Sequence, residues 1–166
     1  NLAQHVRENS NNQAPNSKQI LNSKFEYPNG TEVDWAKLEE TVRLGVRMLD
    51  DVVTVCQYPL PKVAEVVRGN RKIGLVVMGW ADMLVKLHVA YDSKKALKLA
   101  EEVMKFIQAT GHDESAKLGR EKGSFPNFKG SRWQKAGYKH FRNATVTTIA
   151  PTGSISMMAG TSSGIE

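Results

Sequence analysis

Ile73 to Leu87 is an almost uninterrupted apolar run, broken only by Gly74, Gly79, Asp82 and Lys86. Such a run has to be covered by other elements, yet it is shorter than the roughly 20 residues that span a bilayer, so it belongs in the interior of a water-exposed fold. Its first residues read as a strand or extended lead-in, and Gly79 to Leu87 as a buried helix. Asp82 is the single acid inside it. A buried carboxylate must be paired, so a bond to a backbone amide or to one of Arg68, Arg71 or Lys72 is expected ahead of a catalytic role.

Two amphipathic helices flank this run. Asp34 caps the first, with Trp35, Leu38, Val42, Gly45/Val46, Leu49 and Val52/Val53 recurring at three- and four-residue steps. Lys37, Glu40, Arg43, Arg47, Asp50 and Thr54 line its other side, and Tyr58-Pro-Leu-Pro61 stops it. Asp92-Ser93 caps the second, whose inner face is Ala96, Leu97, Ala100, Val103, Met104 and Ile107; a bend is expected near Gly111 before it continues toward Gly123. Between them a short helix is expected over Lys62 to Val67 and a basic turn over Arg68 to Lys72. Gly123 to Gly130 reads as a loop with two aromatic anchors, and Trp133 to Arg142 as a short basic helix or connection. Residues 1–32 are rich in Asn, Ser and Gln and read as a poorly ordered loop or hairpin excursion, with a short strand at Phe25 to Tyr27 and a turn at Pro28 to Thr31. No internal repeat is present.

The last part of the chain carries the chemistry. Thr145, Val146, Thr147, Thr148 and Ile149 are β-branched and favour a strand, Pro151-Thr-Gly-Ser154 breaks it, and Ser154 to Ala159 can form a helical turn that Gly160 ends. A strand, a Gly-bearing turn and a helix start leave backbone N–H groups aimed at one spot beside two hydroxyls, which suits an anion, most simply a phosphate. An ordinary turn with no ligand has the same pattern. The stretch is neither a Walker A loop, lacking a Lys after the glycine, nor a dinucleotide fingerprint. Ser162, Ser163 and Gly164 could form a second anion-binding turn, a plain surface turn being the simpler reading.

Several classes can be set aside. His5, His88, His112 and His140 stand singly and Cys56 is the lone cysteine, which gives neither a metal site nor an internal disulfide. Cys56 reads as a small hydrophobe at a helix end. Ser154 lacks the Gly-x-Ser-x-Gly context of a hydrolase nucleophile. The net charge of +6 is spread out, and its densest groups, Arg68 to Lys72 and Lys135 to Arg142, read as solvated or phosphate-facing rather than as a nucleic-acid stripe. A cytoplasmic protein is expected, with no membrane and no nucleic acid among its partners. Asn1 and the abrupt Ser163-Gly-Ile-Glu166 suggest a piece of a longer chain.

Two long stretches, Arg68-Gly-Asn-Arg-Lys-Ile-Gly-Leu-Val-Val-Met-Gly-Trp-Ala-Asp-Met-Leu84 and Asn143-Ala-Thr-Val-Thr-Thr-Ile-Ala-Pro-Thr-Gly-Ser-Ile-Ser156, with Gly160-Thr-Ser-Ser-Gly-Ile-Glu166, resemble the catalytic subunit of ribonucleotide reductase. The form is most similar to the adenosylcobalamin-dependent class II enzymes. Tyr58-Pro-Leu-Pro61, Tyr91-Asp-Ser93 and Phe125-Pro-Asn-Phe128 fall in the family's order, so the likeness covers residues 33–166.

The resemblance implies an α/β fold, a helix-rich fragment of a ten-stranded α/β barrel, with residues 33–166 a partial barrel domain. It implies that Thr152, Gly153, Ser154 and Ile155 bind the phosphates of a ribonucleotide substrate that is reduced to the deoxyribonucleotide by thiyl-radical chemistry. The family's radical cysteine, in an Asn-Pro-Cys-Gly-Glu stretch, lies upstream and is not in this chain, and Asn1-Leu-Ala3 resembles the residues after a reducing cysteine. No catalytic residue is therefore assigned here. The implied cofactor is adenosylcobalamin, and the implied partners are the upstream part of the same enzyme, a thioredoxin-like thiol reductant and a second copy in a homodimer. The competing reading is a non-enzymatic helical scaffold or phosphate-binding module.

Overall fold

The computed structural model describes residues 1–8 and 30–166. The expected Phe25 to Tyr27 strand and most of its turn lie outside the described residues. Helices dominate: α1 (Trp35–Val55), α2 (Pro61–Asn70), α3 (Trp80–Lys86), α4 (Lys94–Lys122), α5 (Arg132–Lys135) and α6 (Gly153–Ala159). Strands β1 (Val6–Glu8) and β2 (Thr31–Val33) pair antiparallel with Val6 opposite Val33. The chain divides into two compact units, one of residues 1–38, 77–103 and 150–166, the other of residues 39–76 and 104–149.

In the second unit, Val46, Val53, Ile73, Ala116, Leu118, Phe125, Trp133, Phe141 and Val146 form the core. Trp133 stacks on Phe141 with ring centroids 4.1 Å apart, and its indole N–H donates to the Ala144 carbonyl. The expected strand at Thr145 to Ile149 is an extended segment that meets Ile73–Leu75 through a single parallel bridge, Leu75 to Thr147. Ile73 N–H donates to Thr145 O and Thr148 N–H to Leu75 O. β-Branched side chains favour an extended backbone, but a ladder needs a partner strand running alongside over several residues. Among the described residues this bridge and the β1–β2 pair are the only strand pairings, so the helix-rich part of the expected architecture is present and a ten-stranded barrel is not seen.

The same unit corrects the reading of its charges. Asp50, placed on the solvent side of α1 by the periodicity, is fully buried. Its carboxylate accepts from Arg71 Nε at 2.9 Å, Arg142 Nε at 3.1 Å and Asn143 Nδ2 at 2.9 Å. Arg71 and Arg142 are therefore neither solvated nor phosphate-facing. Arg71 is the left-handed C-cap of α2, which runs on to Asn70 where a basic turn was expected. Arg43 and Arg47 likewise hold buried Glu114 of α4, at 3.1 and 2.6 Å. A buried charge needs partners, and these come from segments far away in sequence, which helical spacing does not register.

Helix α4 runs unbroken through Gly111, where a Cβ would lie 2.9 Å from Val146. Its buried stripe is Ala96, Leu99, Val103 and Ile107, at steps of three and four, and this leaves Leu97 exposed instead of inside. Cys56, just past α1, is exposed rather than packed. The lead-in to α3 carries the Leu75 bridge, and in the first unit Trp80, Met83 and Leu84 of α3 are buried. Gly79 precedes α3 at φ 77°; a Cβ there would lie 2.5 Å from both Asn1 Oδ1 and Thr161 Oγ1, so no other residue fits. No helix among the described residues is long and apolar enough to cross a membrane.

Candidate phosphate-binding turn

The turn lies in the first unit. Pro151 removes a donor, and Thr152 then takes a left-handed conformation, φ 54° and ψ 21°, before α6 begins at Gly153. A β-branched residue in that region is strained by roughly 1–3 kcal/mol unless its surroundings hold it. Here the Gly164 N–H donates to Thr152 Oγ1 at 2.7 Å. Ser156 N–H donates to Thr152 O at 2.8 Å as the first bond of the helix.

Thr152 therefore spends its hydroxyl oxygen on the returning chain rather than on capping its own helix, and α6 has no side-chain cap. The N–H groups of Gly153, Ser154 and Ile155 have no acceptor among the described residues. All three residues are exposed. A Cβ built on Gly153 meets nothing within 4 Å, so there is open space beside the first of these donors. With seven residues α6 has little macrodipole, so any electrostatic pull on an anion here would come from the three local N–H groups.

The return segment fixes the turn. Ser156 Oγ shares a 2.7 Å hydrogen bond with Ser163 Oγ and donates at 2.9 Å to Gly153 O. Gly164 is buried at φ 49°, where a Cβ would lie 3.2 Å from Ala150 O. The Ser162 to Gly164 stretch, expected as a plain surface turn, thus packs on α6 and on α3. Asp82 Oδ2 accepts from Thr161 Oγ1 at 2.7 Å and from Ser162 N–H at 2.8 Å. Of the partners weighed for Asp82, the backbone amide is the one found; Arg71 is taken by Asp50. The Thr161 hydroxyl bond, then the Ser162 amide, hold the Asp82 pKa below the usual aspartate value. Thr161 has one proton and a second neighbour, Asn1 Oδ1, at 3.2 Å; the nearer, ionised acceptor takes it.

Thr152, Gly153, Ser154 and Ile155 thus lie together on one open turn. Sequence reading missed Ser156, Ser163, Gly164 and Asp82 as its supports. The glycine at 164 was the one visible sign, since a buried left-handed position favours that residue.

In the second unit a groove of about 490 Å³ runs along α4, lined by Lys105, Gln108, His112, Asp113, Arg120 and Tyr138. His112 sits edge-on to Trp133 at 4.7 Å, and its burial, then the Arg132 charge, push its pKa down. No group of three or more metal-ligating side chains occurs among the described residues.

Residues 18–141 match the ribonucleotide reductase barrel domain. That match ends two residues short of Asn143, so it does not reach the turn. The chain is 49% identical over 134 residues to the vitamin B12-dependent ribonucleoside-diphosphate reductase of Mycobacterium tuberculosis, covering 81% of this chain and 19% of that protein. It is 50% identical over 137 residues to the protein of the same name from Thermoplasma acidophilum, covering 82% and 18%. The ribonucleoside-diphosphate reductase subunit alpha of Helicobacter pylori is 32% identical over 162 residues, covering 78% and 21%. The matched part is about a fifth of each relative's length. The chain belongs to the ribonucleotide reductase family, within its barrel domain.

Proposed function

We propose that this chain supplies the substrate phosphate-binding turn of a ribonucleoside-diphosphate reductase. The observation that carries the reading is the set of three N–H groups, at Gly153, Ser154 and Ile155, left without acceptors on an exposed turn whose entry residue is held in a left-handed conformation. A diphosphate presents oxygens to all three, and each hydrogen bond to a charged oxygen is worth about 1.5–3 kcal/mol. The Ser154 hydroxyl adds a further donor. Thr152, whose oxygen is already an acceptor, has its proton left to give. Because the donors are fixed before the ligand arrives, little ordering cost opposes binding.

The complete enzyme reduces a ribonucleotide by thiyl-radical chemistry inside a ten-stranded barrel, with the radical cysteine on a part of the polypeptide outside this chain. The relatives' names point to adenosylcobalamin as the cofactor, which when bound supplies the radical. No residue of this chain is assigned to it. What these residues do is hold the phosphates, so that the ribose is presented at a fixed distance from the reacting groups. A thioredoxin-like dithiol as reductant and a homodimer complete the proposal, in a cytoplasmic enzyme of deoxyribonucleotide synthesis for DNA replication.

The test is a chimera in which this chain replaces the matching segment of the Thermoplasma acidophilum relative, assayed with a ribonucleoside diphosphate, adenosylcobalamin and a dithiol. Ser154→Ala should raise KM about 10-fold or more, one charge-assisted hydrogen bond, and leave the weak binding of the unphosphorylated ribonucleoside unchanged. An active chimera in which Ser154→Ala and Gly153→Ala both leave KM where it was would remove the turn from the substrate site. A chimera that is folded but inactive, and binds no diphosphate, would favour the scaffold.

A further inference from the structure

We infer that Asp82 is a positioning residue for the phosphate-binding turn, acting through the return segment Thr161 to Gly164. The inference rests on the turn binding the substrate's phosphates. One carboxylate oxygen, Oδ2, takes both the Thr161 hydroxyl at 2.7 Å and the Ser162 N–H at 2.8 Å. The next two residues of the same segment grip α6: Ser163 Oγ bonds Ser156 Oγ at 2.7 Å, and Gly164 N–H bonds Thr152 Oγ1 at 2.7 Å. Four consecutive residues thus tie α3 on one side to both flanks of the first turn of α6 on the other.

The linkage matters because of Thr152. A left-handed threonine is not the conformation its own backbone prefers, so the direction of the Gly153 to Ile155 N–H groups depends on what holds Thr152 from outside. That hold is the Gly164 N–H, and the register of Gly164 is set two residues earlier, where Ser162 is pinned. Ser162 is fixed on both its backbone groups, with its N–H on Asp82 and its carbonyl accepting from Gly79 N–H at 2.8 Å. Gly79, with no space for a Cβ, allows α3 and the return segment to approach this closely. Further along, Tyr91 Oη donates to Ile165 O at 2.8 Å, which fixes the far end of the segment. Asp82 supplies the only side-chain acceptor in this chain of contacts that carries a full charge, and the hydrogen bonds it receives favour that charged form further.

Asp82 also lies in the first turn of α3, where a carboxylate stabilises the helix start. A purely structural role would therefore show in melting and not in substrate binding, and the two can be told apart. In the active chimera, Asp82→Ala and Thr161→Val should each raise KM for the ribonucleoside diphosphate about ten-fold while kcat stays within about two-fold, because a loosened cradle loses ground-state and transition-state binding alike. Asp82→Asn keeps the acceptor oxygen and should bring KM back to within about three-fold of the parent, a rescue that a charge effect on the helix alone would not give.

Melting temperature is recorded for every variant. A lowered melting temperature with an unchanged KM for Asp82→Ala would overturn the inference. If Asp82→Ala leaves no folded protein, Thr161→Val decides: an unchanged KM overturns the inference and a raised one supports it. Gly153→Ala separates the two readings. If it raises KM and the Asp82 and Thr161 variants do not, the turn binds phosphate and Asp82 does not position it. If none of them moves KM, the turn reading itself falls.

Discussion

Asp50 and Asp82 each gather donors from segments far away in sequence, and what they gather differs: one region closes on itself and the other ends on exposed donors. Asp50 is wholly enclosed, and its carboxylate is met by two guanidinium groups and an amide. The ring closes on itself: Asn143 Oδ1 accepts from Ser115 Oγ at 2.9 Å, Asn143 N–H donates to that same hydroxyl at 3.1 Å, and Arg71 Nη2 reaches Thr54 Oγ1 at 2.7 Å. Around Asp82 the bonds run outward instead, through a hydroxyl and a backbone amide to a turn whose last three donors are left open. A network that satisfies every member specifies a core, and one that ends on exposed donors leaves them to solvent or to a ligand.

The most damaging change to either region should be Asp50→Ala. It leaves Arg71 charged and buried, and Arg142 charged and partly buried, with no carboxylate, a loss of about 3–5 kcal/mol, more than a hundred-fold in local opening. Hydrogen exchange at the Ile73 and Leu75 amides, which donate across to the Thr145 to Thr148 segment, reports it directly. Protection unchanged at those amides would show that the cluster is not what holds the second unit.

These two regions were legible in the sequence to different degrees, for a physical reason. The turn was legible because its parts are contiguous: β-branched residues, a proline, a glycine and a short helix follow one another within fifteen positions, and local propensity decides each. The Asp50 cluster was not, because the donors to its carboxylate lie 21 to 93 positions away and nothing in a helical period marks one polar residue for burial. The same blindness put Arg71 in a solvated turn, whereas for Asp82 the expected backbone amide is the partner found, alongside the Thr161 hydroxyl. The extended lead-in and helix of the Ile73 to Leu87 run were readable to within a residue, since hydrophobic runs and glycines are local signals. The exposure of Leu97 was not, because a stripe one position over, through Leu99, fits the same spacing.

The sharpest way to contrast the open region with the closed one is Gly153→Ala. Gly153 has no left-handed φ to protect and no neighbour within 4 Å of an added Cβ, so alanine should fit and should stabilise the start of α6 by about 0.4–1 kcal/mol. The same methyl group adds bulk on the residue that opens the turn, beside the free N–H groups. Substrate KM should therefore rise while melting temperature holds or climbs, opposite to any substitution around Asp50. A fall in both stability and affinity would mean that the turn is a packed corner and not an open cradle.

The smallest effect concerns protons, and it tests the closed region from its aromatic side. Burial against Trp133 and Phe141, then the charge on Arg132, lowers the His112 pKa below the usual histidine value of about 6.5. The unfolded chain takes up this proton near that usual value and the folded chain resists it until a lower pH. Stability from neutral His112 is therefore present above about 6.5 and declines as pH falls from there through the folded pKa. His5, buried in the first unit and shifted in the same direction, would blur a global melt. Exchange at second-unit amides such as Phe125, whose N–H donates to Phe141 O, isolates the His112 contribution. His112→Gln should flatten the pH slope at those amides between neutral and mildly acidic pH, and an undiminished slope would place the titrating group elsewhere.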